Sequence, residues 1–458
     1  MIVRTLLGLL ATCLVAALIW CSLARLPAEL ATASTMLGER WYSLRLEGTQ
    51  VGFYRARASR TRSGAWLFAT ELRFALGDGA PVAVTESYRF AASAPYTLEA
   101  AEHRVRRDED EDSVSVTQEG AQLLARRRSA DRDLPTEPIS WRYTLSDYLA
   151  FETWLREQQP PVGASLALKS PKLEQLELIS EQLVLDSVEG GRYRVRKRAA
   201  PGDTLIELDA QLLPVRLQLA GLFELERTDR ATALAARTPL KRASYRLPLS
   251  DRLPRHTQLA QLRLRAVGSG APEFPDPLVL TANPVLPAAD GSYLKATLAL
   301  PVDHPDVTAL IASLGLRQLP PRQRLEKLVR YVHNRLRYDR SVSFRPVLTL
   351  LEDPRGDCTE FADLLTTLAR AAGLPARTVI GMAYEDGAQP ALAFHAWNQV
   401  QVDGRWQAVD PTWNQLKVDA THWPLPADER RALLLLTGSL EVRLQVLDFA
   451  YAEDGIEA

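Results

Sequence analysis

Apolar and polar residues alternate with a period of two along much of residues 38–270. After a proline-rich break at Ala271-Pro272-Glu273-Phe274-Pro275-Asp276-Pro277, the apolar spacing lengthens to that of a helix. This switch limits the possible folds more than any other feature of the chain. Period-two alternation, as in Tyr42-Ser43-Leu44-Arg45-Leu46-Glu47, sends every second side chain to one face and predicts half-buried strands. Less strict alternation recurs over 65–74 and 82–90, and Gly48-Thr49-Gln50 and Glu189-Gly190-Gly191 are turn signals between such runs. One helix is expected among the strands, around 145–156, with Leu145, Tyr148, Leu149, Phe151 and Leu155 as its apolar residues. The expectation for 38–270 is an antiparallel β-rich domain. It contains His103 and His256 but no cluster that would carry chemistry.

Beyond the break, residues 278–445 read as α+β. Pro320-Pro321 opens a helix to about Tyr338, in which Leu325, Leu328, Val329, Val332 and Leu336 form one apolar stripe. A second helix has marked ends. Asp357 is a good N-cap with Glu360 three residues later, while Arg370, Gly373 and Pro375 stand at its close. Strands are expected at about 376–384, 391–402 and 406–409, the last two joined at Asp403-Gly404, a strong two-residue hairpin signal.

The N-terminus carries a different pattern. No charged residue occurs from Thr5 to Ala24. Twenty such residues in a helix span about 30 Å, the thickness of a bilayer core. Residues 1–26 are therefore expected to be an uncleaved signal-anchor, a single transmembrane helix. Arg4 and the α-amine orient that end towards the cytoplasm. The rest of the chain would then be periplasmic, held at the inner membrane. A cleaved signal peptide is the alternative, but the small residues Ala31-Thr32-Ala33 lie well beyond the apolar run. Ile19-Trp20 is too bulky for lipoprotein processing at Cys21. A formal net charge of −1 argues against a nucleic-acid partner. The basic run Arg104-Val105-Arg106-Arg107 leads at once into Asp108-Glu109-Asp110-Glu111-Asp112, the pattern of a solvated loop.

Three cysteines are present, and Cys13 and Cys21 lie in the apolar segment. Cys358 is thus alone in the remaining chain. It has no disulfide partner there and is a candidate reactive thiol. As the first residue of the capped helix it sits where the helix dipole favours a thiolate. Asp357 and Glu360 oppose that charge, so a cationic partner is needed. His395 can supply one. A two-residue turn at 403–404 pairs Val402 with Arg405; counting on, Trp397 stands opposite Asp410, and His395 and Asp410 share a face as diagonal neighbours. Nucleophile, base and orienting acid are then Cys358, His395 and Asp410. Whether the helix start lies beside the hairpin does not follow from periodicity. Metal binding fits poorly, because His333, His395 and His422 are scattered without ligand spacing.

These residues resemble a known family. Gly356-Asp357-Cys358-Thr359-Glu360-Phe361, Arg370-Ala371-Ala372-Gly373-Leu374-Pro375, His395-Ala396-Trp397-Asn398 and Val409-Asp410-Pro411-Thr412 look like the core of the transglutaminase-like superfamily, over about residues 320–423. Asp410-Pro411-Thr412-Trp413-Asn414-Gln415 with Asp419-Ala420-Thr421-His422 resembles a bacterial membrane-linked branch of it. The resemblance implies a papain-like α+β fold and a Cys358-His395-Asp410 triad, with the oxyanion met partly by the backbone N–H of Cys358. A second donor is usual, and Tyr338 is a candidate. The expected chemistry is acyl transfer at an amide through a thioester, on a protein or peptide substrate and without a cofactor. Hydrolysis by a cell-envelope peptidase or amidase is the first expectation. A crosslinking transglutaminase and a non-catalytic envelope binding module are the alternatives. Fast thiol labelling that depends on His395 separates the enzyme readings from the binding module.

Overall fold

The computed structural model describes residues 27–452 except 47, 76–80, 108–109, 199–202, 220–222, 236–245, 287–292, 317, 341–344, 426–433 and 436–439. The expected anchor at 1–26 lies outside the described residues. Among the described residues, no helix is long and apolar enough to cross a membrane.

Alternation does produce strands. Fifteen of them, from Gly38–Leu46 to Phe223–Thr228, form one antiparallel sheet. Two meanders, 38–133 and 165–228, are joined where Gly38–Leu46 pairs with Phe223–Thr228. The apolar positions are buried: Tyr42, Leu44 and Leu46 in the first strand, and Val114 and Val116 on either side of Ser115 in a later one. The helix expected around 145–156 is three short pieces: Leu145–Tyr148, Ala150–Thr153 and a π-turn at Trp154–Gln158. Leu149 leaves helical geometry at φ −100°, ψ 12°, which ends the first piece.

The boundary near 270 needs correction. Arg246–Pro248 pairs with Ala391–Ala393, and Leu259–Val267 pairs with both Leu278–Thr281 and Arg443–Tyr451. Alternation groups these segments with the large sheet, yet they hydrogen-bond to the C-terminal half. The proline-rich stretch is a connection inside a three-stranded sheet. Proline interrupts a ladder locally but does not decide which partners the flanking strands take. The two halves also share one core, in which Trp66, Phe68 and Phe90 belong to the same apolar cluster as Val329, Leu365 and Val400.

Helix α1 (Pro321–Arg335) and helix α2 (Cys358–Ala371) pack beside strands β1 (Ala376–Glu385), β2 (Ala391–Val402), β3 (Arg405–Val409) and β4 (Trp423–Pro424). Asp403 and Gly404 have φ of +50° and +78°, the pair of left-handed residues that a tight hairpin turn needs. The β2–β3 register runs from Val402↔Arg405 to Asn398↔Val409, as counted from the turn. One feature locks α2 to this sheet, and another sets the packing within it. Buried Asn398 donates to the Ala362 carbonyl at 2.7 Å and to Thr366 Oγ1 at 2.8 Å. Gly381, opposite His395 on β1, gives the Trp397 ring its room: a Cβ there would lie 2.4 Å from Trp397 Cη2 and 2.3 Å from the Trp423 carbonyl oxygen.

Candidate active site

The start of α2 is built by its cap. Asp357 Oδ1 accepts the Thr359 N–H at 2.8 Å, and Glu360 Oε2 accepts the Asp357 N–H at 2.7 Å. Cys358 is the first helical residue and is partly exposed. Glu360 is buried and also accepts the Arg345 N–H at 3.0 Å. Burial, and then the Asp357 charge, push its carboxyl up. The negative charge opposing a thiolate is therefore smaller than the residue types imply.

His395 projects from β2 and is 7% exposed. Its Nε2 lies 2.8 Å from Asp410 Oδ2, and Cys358 stands near enough to act on the ring's charge. With Nε2 committed to the carboxylate, Nδ1 is the nitrogen left for the thiol. Burial alone would lower the imidazole's pKa. Asp410 and Cys358 outweigh it and raise the value to about 9. Trp413 covers the ring in a parallel stack, 4.2 Å between centroids and 10° between planes.

Asp410 is fully buried. The ladder stops at Val409, so the expected Trp397–Asp410 pairing does not form. Instead Asp410 closes a turn through reciprocal backbone bonds with Gln415 at 2.8 and 2.9 Å. Its Oδ1 accepts the N–H groups of Thr412 at 2.7 Å and Trp413 at 3.3 Å, which leaves Oδ2 for the histidine. Burial works against the charge, but the hydrogen bonds to His395 and His422 overcome it and hold the carboxyl well below its usual range.

Two histidines that look scattered in the sequence prove to be close. His422 is fully buried, with Nε2 3.4 Å from Asp410 Oδ2 and Nδ1 3.4 Å from Asp419 Oδ1. Proximity follows because the turn at 410–415 sends the chain back past Asp410; the Asp419-to-His422 motif was the only sequence signal. His333 reaches from α1 to the Pro411 and Thr412 carbonyls, both at 3.2 Å, and steadies the same turn. His395, Asp410 and His422 bring three potential ligand atoms within 4.8 Å of one another. The 2.8 Å His395–Asp410 contact is spaced as a hydrogen bond, and that accounts for the grouping. Tyr338 is partly exposed, with its hydroxyl accepting from Arg340 Nε at 3.0 Å. A cleft of about 910 Å³ opens here, lined by Tyr338, Arg340, Tyr384, His395, Trp413 and Lys417 among others.

Residues 309–411 match the transglutaminase-like superfamily. The chain carries a transglutaminase-like domain. All three expected site residues fall within the match. Kyphoscoliosis peptidase from Mus musculus is 36% identical over 84 residues, which are 17% of this chain and 13% of that protein. The Homo sapiens protein is 35% identical over 82 residues, 17% of this chain and 12% of its own length. The chain thus spans a small part of the curated relatives it matches. Among solved structures, a candidate cysteine protease from Cytophaga hutchinsonii is 17% identical, covering 36% of this chain and 59% of its own at a TM-score of 0.28. A β-barrel-like protein from Brucella abortus is 6% identical, covering 42% of this chain and 97% of its own at a TM-score of 0.30.

The transglutaminase-like domain and the large sheet together hold three histidines whose pKa is raised to about 9: His395, His422 and His103. His103 lies between Glu86 at 2.9 Å and Glu174 at 3.0 Å. In each case burial pulls the value down and carboxylate partners more than reverse it. Imidazoles in the unfolded chain titrate near 6.5. The stability these groups contribute is therefore complete below about pH 6.5 and is lost as pH rises through about 9. Thermal melts are expected to show a falling midpoint across that window, and a flat midpoint would contradict the assignment.

Proposed function

We propose that the chain is a cysteine-nucleophile acyl-transfer enzyme acting on amide bonds of proteins or peptides, with hydrolysis as its outcome. The observation that carries this reading is the His395 ring held at 2.8 Å by the buried Asp410 carboxylate, with Cys358 among the groups that act on the ring's charge. A thiolate at Cys358, held by the His395 imidazolium, attacks the amide carbonyl. The developing oxyanion lies near the start of α2, where the Cys358 backbone N–H and the helix dipole favour negative charge. Tyr338 is our candidate for a second donor, supported by its position on the cleft. His395 then gives its proton to the leaving amine, and a thioester remains on Cys358. Water, activated by the now neutral His395, releases the acid and restores the thiol. Asp410 holds one ring nitrogen throughout, so the other keeps facing the thiol.

The uncharged run from Thr5 to Ala24 supports a membrane anchor at 1–26, with the cleft in the cell envelope. Envelope peptides from cells carrying the natural chain and from cells carrying Cys358→Ala should differ. Cleaved amide bonds that require Cys358 are expected. Isopeptide crosslinks that require Cys358 would replace hydrolysis by transfer to an amine, and identical peptide sets would overturn the enzymatic reading.

A further inference from the structure

Two of the buried ionisable side chains outside the triad stand directly behind Asp410. His422 is 0% exposed and Asp419 3%. We infer that Asp419 and His422 form a charged positioning pair behind the triad, extending it to the chain Cys358–His395–Asp410–His422–Asp419. This rests on the reading of Cys358 as the nucleophile.

The geometry favours a charged His422. Its two ring nitrogens each face a carboxylate oxygen, Asp410 Oδ2 and Asp419 Oδ1, both at 3.4 Å. A neutral imidazole has one N–H and one lone pair. It would satisfy one carboxylate and turn a lone pair on the other. Nε2 makes the hydrogen bond to Asp410, while Nδ1 makes none and meets Asp419 as an ion-pair contact, so the imidazolium is the form drawn to both carboxylates. Asp419 is itself held in place by three further donors. Its Oδ1 accepts from the Thr421 N–H at 2.8 Å and the Thr421 hydroxyl at 2.6 Å. Its Oδ2 accepts from Gln415 Nε2 at 3.2 Å. Gln415 is also the backbone partner of Asp410, so one residue ties both acids together. Trp397 and Trp413 stand edge-on to the His422 ring, at 5.2 and 5.5 Å. The raised His422 value, set by Asp410 and Asp419 against burial, agrees with this charge state.

The charged and titratable groups facing His422 are Asp410, Asp419 and His395, the last 5.8 Å away between ring centres. The signs alternate along the chain from the thiolate to Asp419. His422 thus has two effects. It completes the set of donors that holds the Asp410 carboxylate in place. It also offsets part of the negative field that Asp410 exerts on His395. An unshared buried carboxylate would bind the His395 proton more tightly and oppose the thiolate more strongly. His422 is accordingly a positioning residue that acts through Asp410 and does not touch the reacting atoms.

The test is the pH profile of Cys358 alkylation by iodoacetamide in the full-length chain, read by peptide mass spectrometry so that Cys13 and Cys21 do not contribute. His422→Gln removes a positive charge and is expected to move the rise of the profile up by roughly one pH unit. Asp419→Asn removes a negative charge and is expected to move it down. Thermal melts identify a variant that does not fold. Should His422→Gln be one, the sign of the Asp419→Asn shift still decides. A merely structural pair would lower the rate in both variants without moving the rise, and that result overturns the inference while leaving Cys358 as nucleophile. A natural chain whose Cys358 reacts like a free thiol, rising near about pH 8.5, overturns both.

Discussion

Replacing His395 by alanine is expected to slow alkylation of Cys358 by about 10–100-fold at pH 6. A cysteine without a cationic partner is only about 0.3% thiolate at that pH. A cationic partner favours the thiolate, although an acidic thiolate is also a weaker nucleophile, which takes back part of the gain. The helix dipole at Cys358 remains in the variant, so the reaction slows without stopping. Near about pH 9 the two proteins should react at similar rates, because there the free thiol ionises by itself. His395 is a ring on a strand side, stacked under Trp413. Its removal leaves space at the cleft wall and does not break a backbone bond. Melting should show the variant folded, and a rate equal to that of the natural chain at pH 6 would remove His395 from the ion pair.

Replacing Asp410 by alanine should cost more in stability than any other single change at the site, about 3–5 kcal/mol. This carboxylate is fully buried and has four donors: the N–H groups of Thr412 and Trp413 on one oxygen, His395 and His422 on the other. Alanine would strand all four. Two of them are imidazoles that carry positive charge because Asp410 is there. Their values should fall together in the variant, and the protein's pH-dependent stability between about 6.5 and 9 should flatten. Asp410→Asn keeps the shape and one acceptor oxygen, so its loss should be smaller. Chemical denaturation of both variants at pH 6 measures the difference. An Asp410→Ala protein as stable as the natural one would contradict the charge network.

How much of this was legible follows from the range of each signal. The capped start of α2 and the β2–β3 hairpin are local devices, written in Asp357, Glu360, Asp403 and Gly404, and their register carries as far as Asn398↔Val409. His395 and Asp410 could be brought together by counting from that turn. Their contact nonetheless arises differently: Asp410 leaves the ladder and is aimed by its own turn with Gln415. The approach of His422 depends on a reversal of the chain that no periodicity records. The contact between α2 and the hairpin was equally non-local. It depends on Asn398 reaching Ala362 and Thr366, a bond between elements that separate sequence patterns cannot dock. The same limit explains the boundary at 270, since strands 246–248 and 259–267 find their partners at 391–393 and 443–451.

The central claim is that Cys358 forms a thioester with the help of His395. Reaction of the full-length chain with p-nitrophenyl acetate tests it most directly, with p-nitrophenol release followed in time and the acetyl group located by peptide mass spectrometry after acid quench. A burst of p-nitrophenol is expected, with an acetyl group on Cys358 that water removes. Cys358→Ala should form no such adduct, and His395→Ala should show a much slower burst. Acetylation elsewhere only, or a burst of equal size and rate in all three proteins, would contradict the central claim.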